Sequence, residues 1–342
     1  MICAAFCILK AELNLCRVGS LYILLVDWQV KGKETMALIK DVLYVRFRVK
    51  DLQAQRRFLD DFGFQTSIDD GLLLARGTDG SPYIYLAEES SEPAFVSVGF
   101  AAESEAALKA VAAIDGAPVE ANALPGGGLI VRLTDPNGFA VEVVANIADR
   151  PLLPEAGRSD FNDGVKKKRL GERVSFVAPQ CLIKRLGHVV LLINDFSETF
   201  EWYQRRLGLL ISDEIVMDKD GQEQTLGAFT RCNRGEEYVD HHTMFFINAG
   251  HSDFNHAAFE VGNWDVLMRS HYALKKAGHQ HSFGVGKHIL GSQTFDYWKD
   301  PNGFMLEHFT DGDLFNESFG SHKRSPADLL GTHWGPEGMP GQ

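Results

Sequence analysis

Two stretches decide the reading of this chain: LTDPNGFAVEVV (133–144) and WKDPNGFMLEHF (298–309). Each contains Asp-Pro-Asn-Gly, where proline fixes φ and glycine supplies a positive φ, so each marks a tight turn. The alternating run after each turn reads as a strand, with Glu142 or Glu307 at the same offset. Working outward, DVLYVRFRVKDLQAQRRFLDDFGF (41–64) matches RLGHVVLLINDFSETFEWYQRRLGL (185–209). In both, an apolar strand ends at Asp51 or Asp195. An amphipathic helix follows with Phe58 or Trp202 on its apolar face, and Gly63 or Gly208 closes it. The chain is therefore a duplicated α+β unit.

The first copy reads as strand 41–49, helix 51–62, strands 72–76 and 82–87, then strand 95–101, helix 103–114 and strands 129–134 and 139–145. The second reads as strand 186–193, helix 195–206, strands 210–218, 225–231 and 241–247. It closes with strand 255–261, helix 263–276 and strands 293–299 and 304–309. Each copy is a doubled β-α-β-β-β module. The expected organisation is a domain at 36–147, a mixed linker at 148–184, a second domain at 185–312 and a tail at 313–342. Residues 1–35 read as an extension outside the repeated fold: they are apolar but lack the positive n-region and clean cleavage site of a signal peptide. The basic run 166–169 reads as a solvated part of the linker.

Composition narrows the classes. At 342 residues and 45% hydrophobic, the chain can fill two cores. A formal charge of −12 argues against a nucleic-acid backbone as partner. No run approaches 18 apolar residues, so no membrane span is expected. Three of the five cysteines lie in the first 16 residues. The two that remain, Cys181 and Cys232, are too few for a disulfide framework, and a reducing, cytoplasmic setting fits.

All twelve histidines lie at or after His188. His188 opens HVVLLI, His256 opens HAAFEV, and Glu307 sits in DPNGFMLEH. In the first copy Tyr44 takes the place of His188, no histidine answers His256, and only Glu142 survives. Two neutral imidazoles and a carboxylate on neighbouring strands form a facial triad, which leaves one side of an octahedral Fe(II) open. The same set serves zinc, but an open face and redox-capable chemistry favour iron or manganese.

On these residues, 36–335 resembles the type I extradiol ring-cleavage dioxygenases of the vicinal oxygen chelate superfamily. The resemblance implies two tandem vicinal oxygen chelate domains, the first metal-free and the second catalytic, with His188, His256 and Glu307 as ligands to Fe(II) or Mn(II). It places a family histidine at His241 in DHHT, with His242 facing the other way on the same strand, and two further polar groups at His288 in GVGKHILGSQ and Tyr297 in FDYW. Their implied roles are acid/base for His241 and hydrogen bonding to substrate oxygens for His288 and Tyr297. The implied substrates are a catechol and O2, and homo-oligomers are usual in the family. Two departures stand out. Val190 replaces an asparagine often found two residues after the first ligand, and Phe283 replaces a basic residue of members that act on carboxylate-bearing catechols. The tail resembles members acting on trihydroxytoluene-like catechols. Two readings compete with this one: a metal-dependent glyoxalase-type isomerase or epimerase, and a non-catalytic small-molecule binding protein of the same superfamily. His308 must face away from Glu307.

Overall fold

The two sequence repeats fold as two mixed sheets in the computed structural model, which describes residues 16–18, 21–23, 37–154, 161–174 and 182–338. The first sheet has eight strands in the order Gln65–Asp69, Leu72–Arg76, Tyr85–Glu89, Ile39–Val49, Ala94–Ala102, Ala140–Ala145, Leu129–Thr134 and Glu120–Ala121. The second has ten: His322–Arg324, Leu210–Lys219, Gln222–Arg231, Met244–Asn248, Ile183–Ile193, Asp253–Val261, Met305–Thr310, Thr294–Lys299, Gln280–His288 and Thr332–Trp334. Each sheet joins two β-α-β-β-β modules through its long central strands, so the α+β double-module architecture holds. Cys16–Val18 and Leu21–Ile23 pair antiparallel within a separate unit, Met1–Met36. Most of the expected extension and part of the linker, 155–160 and 175–181, lie outside the described residues. No described helix is long and apolar enough to cross a membrane.

Local signals set the helices. Asp51 caps Leu52–Phe62 by accepting from the Gln53 and Ala54 amides, and Asp195 caps Phe196–Leu207 by accepting from Glu198. Gly63 (φ 110°) and Gly208 (φ 73°) end these helices in the left-handed conformation. Helix Phe196–Leu207 turns Tyr203 fully inward, however, and leaves Trp202 only partly buried beneath the Arg206 guanidinium.

Several elements depart from the sequence reading, among them the strands Gln65–Asp69 and Glu120–Ala121, which it did not include. Gln280–His288 is a strand where the sequence reading gave none. Its two glycines weaken the strand signal, but a Cβ on Gly286 would sit 2.4 Å from the Phe295 ring, so glycine is what lets these strands close together. His241–Thr243 precedes the strand that begins at Met244. The 313–342 segment is no detached tail: His322–Arg324 pairs parallel with Leu210–Lys219, and Thr332–Trp334 pairs with Gln280–His288.

One core runs through both sheets, from Val45 and Phe47 to Phe259 and Leu306. The two Asp-Pro-Asn-Gly turns clamp it reciprocally. Asp135 and Asp300 each accept two amides of their own turn, at 2.8–2.9 Å. That orients Asn137 to accept from the Asn194 amide (2.8 Å) and donate to Thr199 (2.9 Å) at the start of the second copy's helix. Asn302 accepts from the Lys50 amide (3.0 Å) and donates to buried Gln55 (2.9 Å) at the matching place in the first copy. Asn302→Ala strands these partners and is expected to cost about 1–3 kcal/mol, read as a lower urea midpoint at unchanged m-value.

Candidate metal centre and pocket

Strand register builds the site. His188 lies opposite Ala258 on the antiparallel pair Ile183–Ile193 and Asp253–Val261. Glu307 lies opposite the same Ala258 on the parallel pair with Met305–Thr310. His256, two residues before Ala258, projects from the same face because side chains alternate along a strand. The pairing slips by one residue between Leu186 and His188. This irregularity falls at Gly187, where a Cβ would lie 2.2 Å from the Phe309 ring. Such a bulge re-aims the side chain that follows it, here His188.

The three groups converge without satisfying one another. His188 Nε2 and His256 Nε2 lie 3.2 Å and 3.3 Å from Glu307 Oε2. Yet His256 Nε2 and both Glu307 oxygens have no hydrogen-bond partner, and all three residues are buried. Burial opposes ionisation of Glu307, but the two imidazoles outweigh it and hold the carboxyl below its ordinary range. Burial likewise lowers the pKa of His256. His256 Nδ1–H donates to Asn255 Oδ1 at 2.7 Å, which leaves the Nε2 lone pair pointing at the cluster. Buried polar atoms that converge this closely without hydrogen-bond geometry are what a divalent cation requires. The three ligand atoms lie within 4.8 Å of one another, so the residues fit a metal.

The first copy shows the same register with protons in place of a cation. Tyr44 lies opposite Gly99, as His188 lies opposite Ala258, and Ser97 holds the place of His256. Tyr44 Oη donates to Glu142 Oε2 at 2.7 Å, and Ser97 Oγ donates to the same oxygen at 3.0 Å. Each hydroxyl brings its own proton, so Glu142 is satisfied there. A second histidine group, His271, His281 and Asp296, is satisfied in the same way: both imidazoles and the Trp298 indole hydrogen-bond the buried carboxylate.

A pocket opens beside His188 and His256. Val190, Phe229, Phe245, Ile247, Leu290 and Leu329 make its apolar wall, and His242, His288, Tyr297, Asn255 and Gln293 supply polar groups. Tyr297 stands directly across from Glu307 on the adjoining strand, and its hydroxyl lies 3.1 Å from His288 Nε2. Burial holds His288 down near a pKa of about 4, and burial together with the Glu307 charge pushes the Tyr297 phenol well above 10.0. A neutral imidazole and a protonated phenol therefore face the pocket.

The expectation for His241 needs correcting. His242, not His241, lines the pocket, with its ring 4.1 Å from that of His188. His241 turns the other way, fully buried, with Nε2 2.7 Å from Asp213 Oδ2. The two rings do not part to opposite faces as expected: on this irregular stretch they meet edge to face, with their Nδ1 atoms 2.9 Å apart, and Asp213 draws His241 away from the pocket. That carboxylate, 28 residues earlier in the chain, gives His241 a buried charged partner, and no local signal reveals it. Asn255 and Gln293 also escaped the sequence reading. Val190 is a wall residue, and Phe283 stacks on Phe295 instead. His308 faces away from Glu307 as expected and donates to the Phe62 carbonyl at 2.7 Å. Cys232 is buried, and burial pushes its thiol up, away from any nucleophilic role.

Comparisons with known proteins bear on the fold. Residues 185–308 match the Glyoxalase/Bleomycin resistance protein/Dioxygenase superfamily model. The chain is 25% identical over 302 residues to metapyrocatechase 2 of Cupriavidus necator, covering 87% of this chain and 90% of that protein. Among solved structures, the Mn(II)-bound glyoxalase from Novosphingobium aromaticivorans superposes with a TM-score of 0.70 at 22% identity, over 89% of this chain and 93% of that one. The 2,3-dioxygenase LapB from Pseudomonas sp. KL28 superposes with a TM-score of 0.68 at 17% identity, over 86% of this chain and 100% of that one. The solved structures share this fold, and residues 185–308 match the superfamily model.

Glu307→Ala and His256→Ala are expected to lose bound metal on dialysis, measured by elemental analysis. Tyr44→Phe should leave metal content unchanged while costing about 1–3 kcal/mol, because it strips a buried carboxylate of a donor. A metal held by these three side chains would bind the folded site only, so chelation is expected to lower the wild-type melting temperature. The stabilisation lost is about 2.7 kcal/mol when free metal had stood near 100 times Kd. Glu307→Ala should show no such shift.

Proposed function

We propose, for a chain whose residues 185–308 belong to the Glyoxalase/Bleomycin resistance protein/Dioxygenase superfamily, that it cleaves a substituted catechol in extradiol fashion with O2. One observation carries this reading: a partnerless, buried His188–His256–Glu307 cluster beside an apolar pocket whose remaining polar groups move or hold protons. A divalent cation at that cluster, iron(II) in the first instance and manganese(II) in the second, would supply the Lewis-acid and redox centre for a monoanionic catecholate and O2.

The protein's own residues account for the rest. The apolar wall takes the ring and excludes water, which strengthens every polar contact inside. Among the described residues no lysine or arginine lines the pocket, so a catechol with an apolar substituent fits and one with a carboxylate side chain does not. His242 is placed to take the proton of the substrate hydroxyl and later return it, work that contributes about 10²–10⁴-fold. Tyr297 and His288, bonded to each other, hold one donor toward the substrate oxygens, where charge develops.

The likeness to the Mn(II)-bound glyoxalase favours a second reading, metal-dependent isomerisation. A proton shuttle of that kind needs a carboxylate base that reaches the substrate, and Glu307 is fully buried within the ligand cluster. Among the described residues, no aspartate or glutamate lines the pocket.

Oxygen uptake by anaerobically prepared, Fe(II)-loaded protein separates the readings. The panel comprises 3- and 4-methylcatechol, 2,3-dihydroxybiphenyl and 2,4,5-trihydroxytoluene, with absorbance followed for a ring-opened product. Stoichiometric uptake with a coloured product is expected, and silence from protein that holds its metal would sink the dioxygenase reading. His242→Phe is expected to keep the metal and lose turnover by about 10²–10⁴-fold.

A further inference from the structure

Behind the pocket, four side chains form an unbroken line that the reaction itself does not explain. Arg324 Nε donates to Asp213 Oδ1 at 2.8 Å, and Asp213 Oδ2 lies 2.7 Å from His241 Nε2. His241 Nδ1 lies 2.9 Å from His242 Nδ1, and the His242 ring borders the pocket. We propose that Asp213, anchored by Arg324, is a positioning residue that dictates which nitrogen of His242 carries the proton, and so leaves a bare Nε2 facing the substrate. The inference rests on the reading of this pocket as a catechol site.

The donors and acceptors can be followed along the line. A guanidinium has only donors, so Asp213 Oδ1 must accept. Burial raises the pKa of Asp213, but His241 and Arg324 outweigh it and keep the carboxyl below its ordinary range. An ionised carboxylate is acceptor-only, so Oδ2 accepts as well, and His241 carries its proton on Nε2. In its neutral form His241 then has a lone pair on Nδ1. A 2.9 Å contact to a second Nδ1 is a hydrogen bond only if His242 supplies the proton there. Neutral His242 is thereby left with its lone pair on Nε2, the nitrogen on the far side of the ring.

The backbone holds this line in place. The His241 amide donates to the Asp313 carbonyl at 2.9 Å, and the Ser212 hydroxyl donates to the His241 carbonyl at 2.6 Å. Gly291 (φ +75°) lies against the His241 ring, where a Cβ would come within 3.0 Å of Nδ1. Arg324 arrives on the strand His322–Arg324, which lies beside Leu210–Lys219. The strand that carries Arg324 thus serves the site from behind, while Leu329 of the same C-terminal segment lines the pocket.

Asp213→Asn reverses the line. Arg324 claims the oxygen of the new side-chain amide, so its NH2 group faces His241 Nε2 and turns that nitrogen into an acceptor. His241 then carries its proton on Nδ1, and His242 is forced to carry its own on Nε2. The experiment uses ¹⁵N-histidine-labelled protein loaded with Zn(II) as a diamagnetic stand-in, with long-range ¹H–¹⁵N correlations assigned by loss of signal in His242→Gln and His241→Gln. In the wild-type protein we expect His242 protonated on Nδ1 and His241 on Nε2, and the reverse for both in Asp213→Asn. Fe(II)-loaded Asp213→Asn should retain its metal and its KM while kcat falls about 10²–10⁴-fold, with Asp213→Glu restoring most of it. A wild-type His242 protonated on Nε2 overturns the proposal and requires no variant to fold. An unchanged tautomer in folded Asp213→Asn overturns it as well. If the tautomers reverse but no catechol is turned over by the wild-type protein, the relay stands and the dioxygenase reading falls.

Discussion

A buried carboxylate with no donor of its own organises this protein. Glu307 is fully excluded from solvent, and neither oxygen has a hydrogen-bond partner. An isolated charge of that kind is among the costliest things a fold can bury. It persists because two imidazole lone pairs, themselves held by strand register, face the same point. The bulge at Gly187, the small side chain of Ala258 and the Asn255 contact to His256 all serve that convergence. A cation placed among them resolves the charge, the orphaned lone pairs and the open face together.

The first copy shows what the same backbone does without this demand. Glu142 keeps the register of Glu307 but is surrounded by Tyr44 and Ser97, each bringing a proton. Two substitutions convert a cation site into a hydrogen-bonded knot that stabilises its sheet. The ring of Tyr44 occupies the space a ligand would need, lying against Gly99 where a Cβ would come within 2.3 Å. Duplication thus left one copy to stabilise the scaffold and one to hold the chemistry. The reciprocal Asn137 and Asn302 contacts tie the two copies into one packed body.

Polar groups around the pocket fall into two sets with different supports. Tyr297 and His288 stand on strands next to Glu307, and their placement follows from the ladder. His242 stands on an irregular stretch before a strand, so the ladder does not aim it. It is aimed by a chain of side-chain bonds that begins at Arg324, in a segment that reads as a tail and folds as a sheet edge.

Much of this was legible in the sequence. The repeated turns, the alternating strands after them and the aspartate and glycine caps act over a few residues, so local chemistry alone specified the duplicated modules. The candidate metal ligands were legible for a related reason: they occupy matched strand positions in a repeat whose other copy lacks histidine, and alternation places such positions on one face. The partners of those ligands were not legible. Gly286 reads as a strand breaker until the Phe295 ring is seen packed over it. His241 and His242 are adjacent and chemically identical, and only Asp213, 28 residues away from His241, and Arg324, 111 residues beyond Asp213, decide which one faces the pocket. Local sequence determined the elements and the side-chain parity within them. Tertiary structure decided which buried polar groups meet, because a buried hydrogen bond is satisfied by whatever the fold brings within about 3 Å, at any distance along the chain.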